Sequence, residues 1–250
     1  MRVIEEVLSL ARREKNAVIA AIIYIGIMAV GMITQHFIFH YNYTDPNMAK
    51  VLIYFEIIMA IFTFIVYTRM KVTILSQKVR FTKWLIPFII IILTTVIMLV
   101  TTGDFSSRTS LIFTIFIMTI FVGFSEELMF RGILLNVLLE KRTAKFAILF
   151  SSALFALLHS VNVLGGASLI ATIIQLFATF LFGLVFSCLA VLMKNIIPLM
   201  IYHCLWDFSL LPQSITHANI GWISSIAILV ELIVVIPLFI YTVKKFKHAK

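Results

Sequence analysis

Residues 84–102 read WLIPFIIIILTTVIMLVTT, nineteen positions without one charged side chain. An α-helix rises 1.5 Å per residue, so about 20 apolar residues cross about 30 Å of hydrocarbon. This stretch is long enough to do so, and seven others of the same kind lie around it: 16–39, 51–68, 110–140, 144–160, 168–193, 195–211 and 220–243. The sequence therefore predicts an all-α fold, a polytopic transmembrane helical bundle of about eight spans. Composition agrees. The 250 residues are 62% hydrophobic and 12% charged, with mean hydropathy +1.11. A soluble domain carries about a quarter charged residues, so a water-soluble globule is excluded for want of polar surface.

The cations test the span count. With the N-terminus placed in the cytoplasm, the inner segments hold seventeen Lys and Arg, among them Arg12, Arg13, Arg69, Lys83, Lys141, Arg142 and Lys194. The outer segments hold two, Lys50 and Arg108, and Arg131 is left inside a span. A wrong span number would scramble that alternation, so both termini are expected to be cytoplasmic. The net charge of +9 is thereby explained by topology, and no nucleic acid is expected as a partner. The expected surroundings are the membrane lipid bilayer, at a bacterial plasma membrane. Cys188 and Cys204 both lie in apolar stretches and read as small buried side chains.

The first apolar run, about 24 residues, exceeds the 7–15 of a signal-peptide core and lacks a small-residue cleavage site. Ahead of it, in residues 1–15, Val3, Ile4, Val7, Leu8 and Ala11 share one helical face, which fits a short helix lying on the cytoplasmic surface. No repeat or linker divides the chain, which reads as one domain, 1–250.

Ionisable groups at membrane depth are costly and usually functional. Eight qualify: Glu56, Glu126, Glu127, Arg131, His159, His203, Asp207 and Glu231. Six of them fall in the fourth, fifth and seventh spans. Counted from the inner ends, Glu127 and His159 stand about 20 Å up their helices, and His203 and Asp207 about 12 and 18 Å. Their shared depth predicts one buried polar site. Glu127 with Arg131, Phe155 with His159, and His203 with Asp207 are each spaced i, i+4, which puts each pair on one helical face. A carboxylate with two histidines can activate water, and a histidine can donate to a developing oxyanion. The same groups also read as nitrogen and oxygen ligands for zinc, or as polar glue between helices. Glu56 and Glu231 stand alone in the sequence and read as packing residues.

Three motifs carry a resemblance. Glu126 to Arg131 reads E-E-x-x-x-R, Phe155 to His159 reads F-x-x-x-H, and His203 to Asp207 reads H-x-x-x-D. In this order, across 126–207, they resemble the CPBP family of intramembrane proteases, which includes CaaX proteases and bacteriocin-processing (Abi) proteins. The resemblance implies that Glu126 activates the attacking water, His159 orients it, His203 and Asp207 stabilise the oxyanion, and Glu127 and Arg131 support them, with Phe155 beside His159. Members have been described both as zinc-type metalloproteases and as metal-free glutamate proteases, so Glu126, His159, His203 and Asp207 also stand as candidate metal ligands. Asp207 occupies a position where the CaaX-protease branch has Asn. An ionised carboxylate cannot donate to an oxyanion, which leaves three roles open: a protonated donor, an orienter of His203, or a metal ligand. The implied activity is hydrolysis of a peptide bond in a membrane-associated peptide, such as a bacteriocin, a pheromone precursor or a lipidated C-terminus. The alternative is a non-proteolytic bacteriocin immunity or membrane scaffold protein.

Overall fold

The computed structural model describes residues 2–75 and 77–247, with side chains described from residue 12 to residue 246. The chain runs α1 (Arg2–Ile33, closed by a π turn, Thr34–Ile38), α2 (Ala49–Met70), α3 (Ile86–Thr102) and α4 (Thr109–Glu127). A π-helical segment, Leu128–Leu134, joins α4 to α5 (Leu135–Lys141). Then come α6 (Ala144–Leu158), a 3-10 stretch over His159–Gly165, α7 (Leu169–Met193), α8 (Ile197–Leu210), α9 (Gln213–Thr216) and α10 (Gly221–Lys247).

Seven helical stretches among the described residues are long and apolar enough to cross a membrane. The eighth expected span, 195–211, is instead the 14-residue α8, about 21 Å long. Pro198 in its first turn and Pro212 just beyond its end bracket it. The route across is still completed. Close to the start of α8, the Arg80 backbone N–H donates to the Met193 carbonyl (2.9 Å). At the far end of α9, the Asp104 N–H donates to the Thr216 carbonyl (2.8 Å). Residues 80 and 104 flank α3, so α8 and α9 together travel as far as α3 does.

Other contacts at the two ends agree with the charge pattern. At the end expected to be cytoplasmic Arg13 pairs with Glu140 (2.9 Å) and Glu14 with Arg142 (2.9 Å). At the opposite end the Tyr43 N–H donates to the Gly165 carbonyl (2.8 Å). A separate surface helix over 1–15 does not form, because α1 begins at Arg2 and runs unbroken into the first span. The apolar face expected on residues 3–11 consists of side chains outside the described residues, as do His248 and Lys250.

Burial separates the centre of the bundle from its lipid-facing rim. The spans Thr109–Lys141 and Leu169–Met193 are 61% buried, against 28% for those built on α3 and α10. On α3 the exposed residues Ile86, Ile90, Leu93, Ile97 and Val100 form one stripe, and Phe88, Ile91, Thr95 and Leu99 face inward. Because lipid is as apolar as leucine, that outward stripe costs nothing, and close packing rather than water exclusion holds the helices together.

The tightest such contact sets the position of the candidate site. A Cβ placed on Gly123 of α4 would stand 2.7 Å from the Met200 carbonyl oxygen and 2.9 Å from the Cys204 amide nitrogen, both backbone atoms of α8. Glycine here brings α8 against the turn that precedes Glu126, and His203 lies beside Cys204. Gly123→Ala must push the helices apart, at a cost of about 1–3 kcal/mol. The expected outcome is a lower melting temperature in detergent together with weaker activity. Gly26→Ala, where an added methyl meets nothing within 4 Å, is the matched control and should be neutral or slightly stabilising.

Candidate active site

The site begins with an irregular turn. Directly after Glu127 the helix widens into π geometry for seven residues, a distortion that concentrates at functional sites. Donors from elsewhere supply its carbonyls. Ser151 Oγ on α6 donates to the Phe130 carbonyl (2.8 Å). Asn136 Nδ2 donates to those of Arg131 (2.7 Å) and Gly132 (3.0 Å). Above the turn, the fully buried Tyr24 hydroxyl shares a 2.7 Å hydrogen bond with Ser125, which fixes the residue before Glu126.

Arg131, inside the π segment, is completely buried. Its Nη1 donates to Glu127 Oε1 at 3.0 Å. Its guanidinium carbon lies 3.9 Å from the centroid of the Phe155 ring, a cation–π contact in a dry setting. The rings of Phe182 and Phe186 stand 5.7 and 5.9 Å away. The same Glu127 oxygen accepts from His203 Nδ1 at 2.9 Å. A carboxylate held by arginine is an acceptor only, so Nδ1 must carry its proton. That fixes the ring and turns Nε2 the other way, 3.5 Å from Asp207 Oδ2 and 3.9 Å from Glu126 Oε2.

His159 closes α6. Its Nδ1 lies 3.2 Å from the Phe155 carbonyl, which accepts the Nδ1 proton and leaves Nε2 free. Phe155 is the common wall, with its ring 5.2 Å from His159 and 6.1 Å from His203. Two cavities meet here. One of about 130 Å³ is lined by Glu126, His159, Asp207 and Glu56; the other, of about 340 Å³, is lined by His159, His203, Asp207 and Glu231 among apolar side chains. Glu126 is 4% exposed, and its Oε2 has no hydrogen-bond partner among the described residues. The structure thus brings together all seven residues singled out from the sequence.

Glu56 and Glu231 are not the isolated packing residues their spacing suggested. Helices α2 and α10 carry them to the walls of these cavities. Three further polar residues, not among the candidates from the sequence, belong to these walls. Asn162 Nδ2 donates to Gln175 Oε1 (2.9 Å), and Gln175 Nε2 donates to the Tyr43 hydroxyl (3.0 Å). Tyr43 and Gln175 line both cavities. A polar amide inside the apolar stretch 168–193 was the available signal for Gln175; Tyr43, in a loop, offered none.

The donor set Glu126, His159, His203 and Asp207 also stood as zinc ligands. Among the described residues no three His, Cys, Asp or Glu side chains converge closely enough to share an ion. As arranged, these four side chains do not converge as a ligand set.

A protein-family model described as type II CAAX prenyl endopeptidase Rce1-like matches residues 108–209. That match runs from the start of α4 to Ser209 in α8 and contains all three motifs. Over those residues, less than half of the chain, the protein is similar to that family, in keeping with the resemblance that the three motifs carry. No curated protein and no solved structure matched the chain. Within the matched region lie the π segment, the aromatic wall and both histidines. Tyr24, Glu56 and Glu231, contributed by α1, α2 and α10, lie outside it.

Proposed function

We propose that this protein hydrolyses a peptide bond in a membrane-associated peptide, with Glu126 as the base that activates water. One observation supports this above the rest. Glu127, held by Arg131, anchors Nδ1 of His203 and so aims Nε2 at the side of the site where Glu126 and Asp207 lie.

In the proposed reaction a water in the smaller cavity gives a proton to Glu126 and attacks the substrate carbonyl carbon. The free Nε2 of His159 orients that water. The carbonyl oxygen becomes an oxyanion, stabilised by the Nε2–H of doubly protonated His203. Asp207 favours that protonated ring through its 3.5 Å contact, which assigns it the orienting role and needs no proton on its own carboxyl. When the tetrahedral adduct collapses, the C–N bond breaks and Glu126 returns its proton to the leaving amine. The larger cavity, walled by Phe182, Trp206, Leu210 and Ile228, accepts an apolar substrate segment. A prenylated C-terminus, the substrate named in the family description, has that character.

The test uses purified protein in liposomes and a panel of reporter peptides, with and without a prenyl group. Wild type, Glu126→Ala, and wild type with a zinc chelator are compared. Cleavage that survives the chelator and disappears in Glu126→Ala supports the reading. Cleavage abolished by the chelator transfers water activation to a metal, and full activity in Glu126→Ala overturns the role given to that residue.

A further inference from the structure

A cavity of about 420 Å³ lies at the inner end of the bundle, far from the candidate active site. Arg80, Lys83, Lys194 and Lys245 line it, and no acidic side chain among the described residues does. The four cations come from three separate segments: the loop before α3, the turn after α7, and the last turns of α10. Like charges gathered around one space repel unless an anion joins them.

The backbone holds this arrangement in place. The Arg80 N–H donates to the Met193 carbonyl at 2.9 Å. Asn195 Nδ2 donates to the Gln77 carbonyl at 2.6 Å. These bonds tie the loop to the turn. Lys194 itself adopts a left-handed conformation, φ 56°, where a Cβ is disfavoured and glycine is the usual choice. The fold keeps a charged side chain there against the local backbone preference.

Two aromatic rings flank the cations. Trp84 and Tyr241 stand 5.8 Å apart, and the Trp84 indole Nε1, a donor, has no partner among the described residues. Phe81 beside them is 70% exposed. Helices α3 and α10, which frame the opening, are the lipid-facing ones. Cations with interfacial aromatics at the cytoplasmic end of a span are the chemistry that recognises a phosphate in a headgroup. A free phosphate would meet the cations but would leave the aromatic and apolar rim unused.

We propose that this cavity binds the phosphate-bearing headgroup of an anionic lipid of the inner leaflet. The test takes the delipidated full-length chain in a maltoside detergent and follows its melting temperature during titration. The probes are short-chain phosphatidylglycerol, short-chain phosphatidylcholine and inorganic phosphate. The quadruple variant Arg80→Gln, Lys83→Gln, Lys194→Gly, Lys245→Gln is compared with a control, Arg69→Gln with Lys71→Gln, which removes inner-face charge elsewhere.

The expected result is a saturable rise in melting temperature with phosphatidylglycerol alone. Its apparent affinity should fall at least tenfold in the quadruple variant and stay within twofold in the control. Without lipid, the quadruple variant should melt no lower than wild type, since repulsion is removed. If that variant fails to fold, Lys194→Gly alone carries the test, with binding at least threefold weaker. An equal loss in the control would mean diffuse attraction and would overturn the site. Equal protection by phosphatidylcholine or by inorganic phosphate would overturn the lipid assignment.

Discussion

Glu126→Gln is expected to fold and melt like wild type and to cleave its substrate about a thousandfold more slowly. Glutamine has the shape of glutamate but cannot take a proton from water. Base or acid assistance contributes on the order of 10²–10⁴ in rate, and the change removes the group that takes the proton from water and returns it to the leaving amine. The structural effect should be small, because Oε2 of Glu126 has no hydrogen-bond partner among the described residues and stands 3.9 Å from the nearest histidine nitrogen. The measurement is turnover of a reporter peptide in liposomes beside a thermal melt of the same preparation. Turnover within tenfold of wild type would take the base away from Glu126, whatever the melt shows.

The second large effect concerns stability. Arg131→Met should lower stability by about 3–5 kcal/mol, the cost of leaving one member of a buried ion pair without the other. Arg131 and Glu127 are both fully buried, so water cannot compensate the carboxylate, which keeps only its bond from His203. Adding Glu127→Leu removes that carboxylate, and replacement of a whole buried pair by apolar groups is often neutral or stabilising. The double variant should therefore recover most of the melting temperature. It should nevertheless remain at least a hundredfold less active, because His203 Nδ1 has lost its acceptor and the ring is free to turn. Recovery of activity along with stability would reduce Glu127 and Arg131 to packing partners.

Much of this architecture was legible in the sequence, because bilayer thickness makes span length readable and charge alternation checks the count. The i, i+4 spacing of Glu127 and Arg131 was enough to foresee their pairing, since both ends of that contact lie on one chain segment. The bond from His203 to Glu127 was not foreseeable; it depends on how α8 packs against α4, which the close approach at Gly123 decides. The shortness of α8 was hidden for a related reason. Hydropathy does not distinguish a stretch that ends at Leu210 from one that continues, and the join through α9 depends on the bond from Asp104 to Thr216. The π segment depends on Ser151, a donor twenty-one positions away from the carbonyl it serves. Glu56 and Glu231 stand alone in the sequence yet reach the cavity walls, because separation along the chain says little about separation in a bundle.

The π segment also has a consequence for register. An α-helix turns about 100° per residue, so any departure from that pitch rotates everything beyond it. Over its seven residues the wider coil changes the phase between α4 and α5. The face that points Glu126 and Glu127 into the bundle and the face that packs Val137 and Leu138 into the core are thereby set independently. A single-residue deletion within 128–134 that restored regular pitch would keep every side chain of the site in the sequence and swing one of these two faces out of alignment with the other.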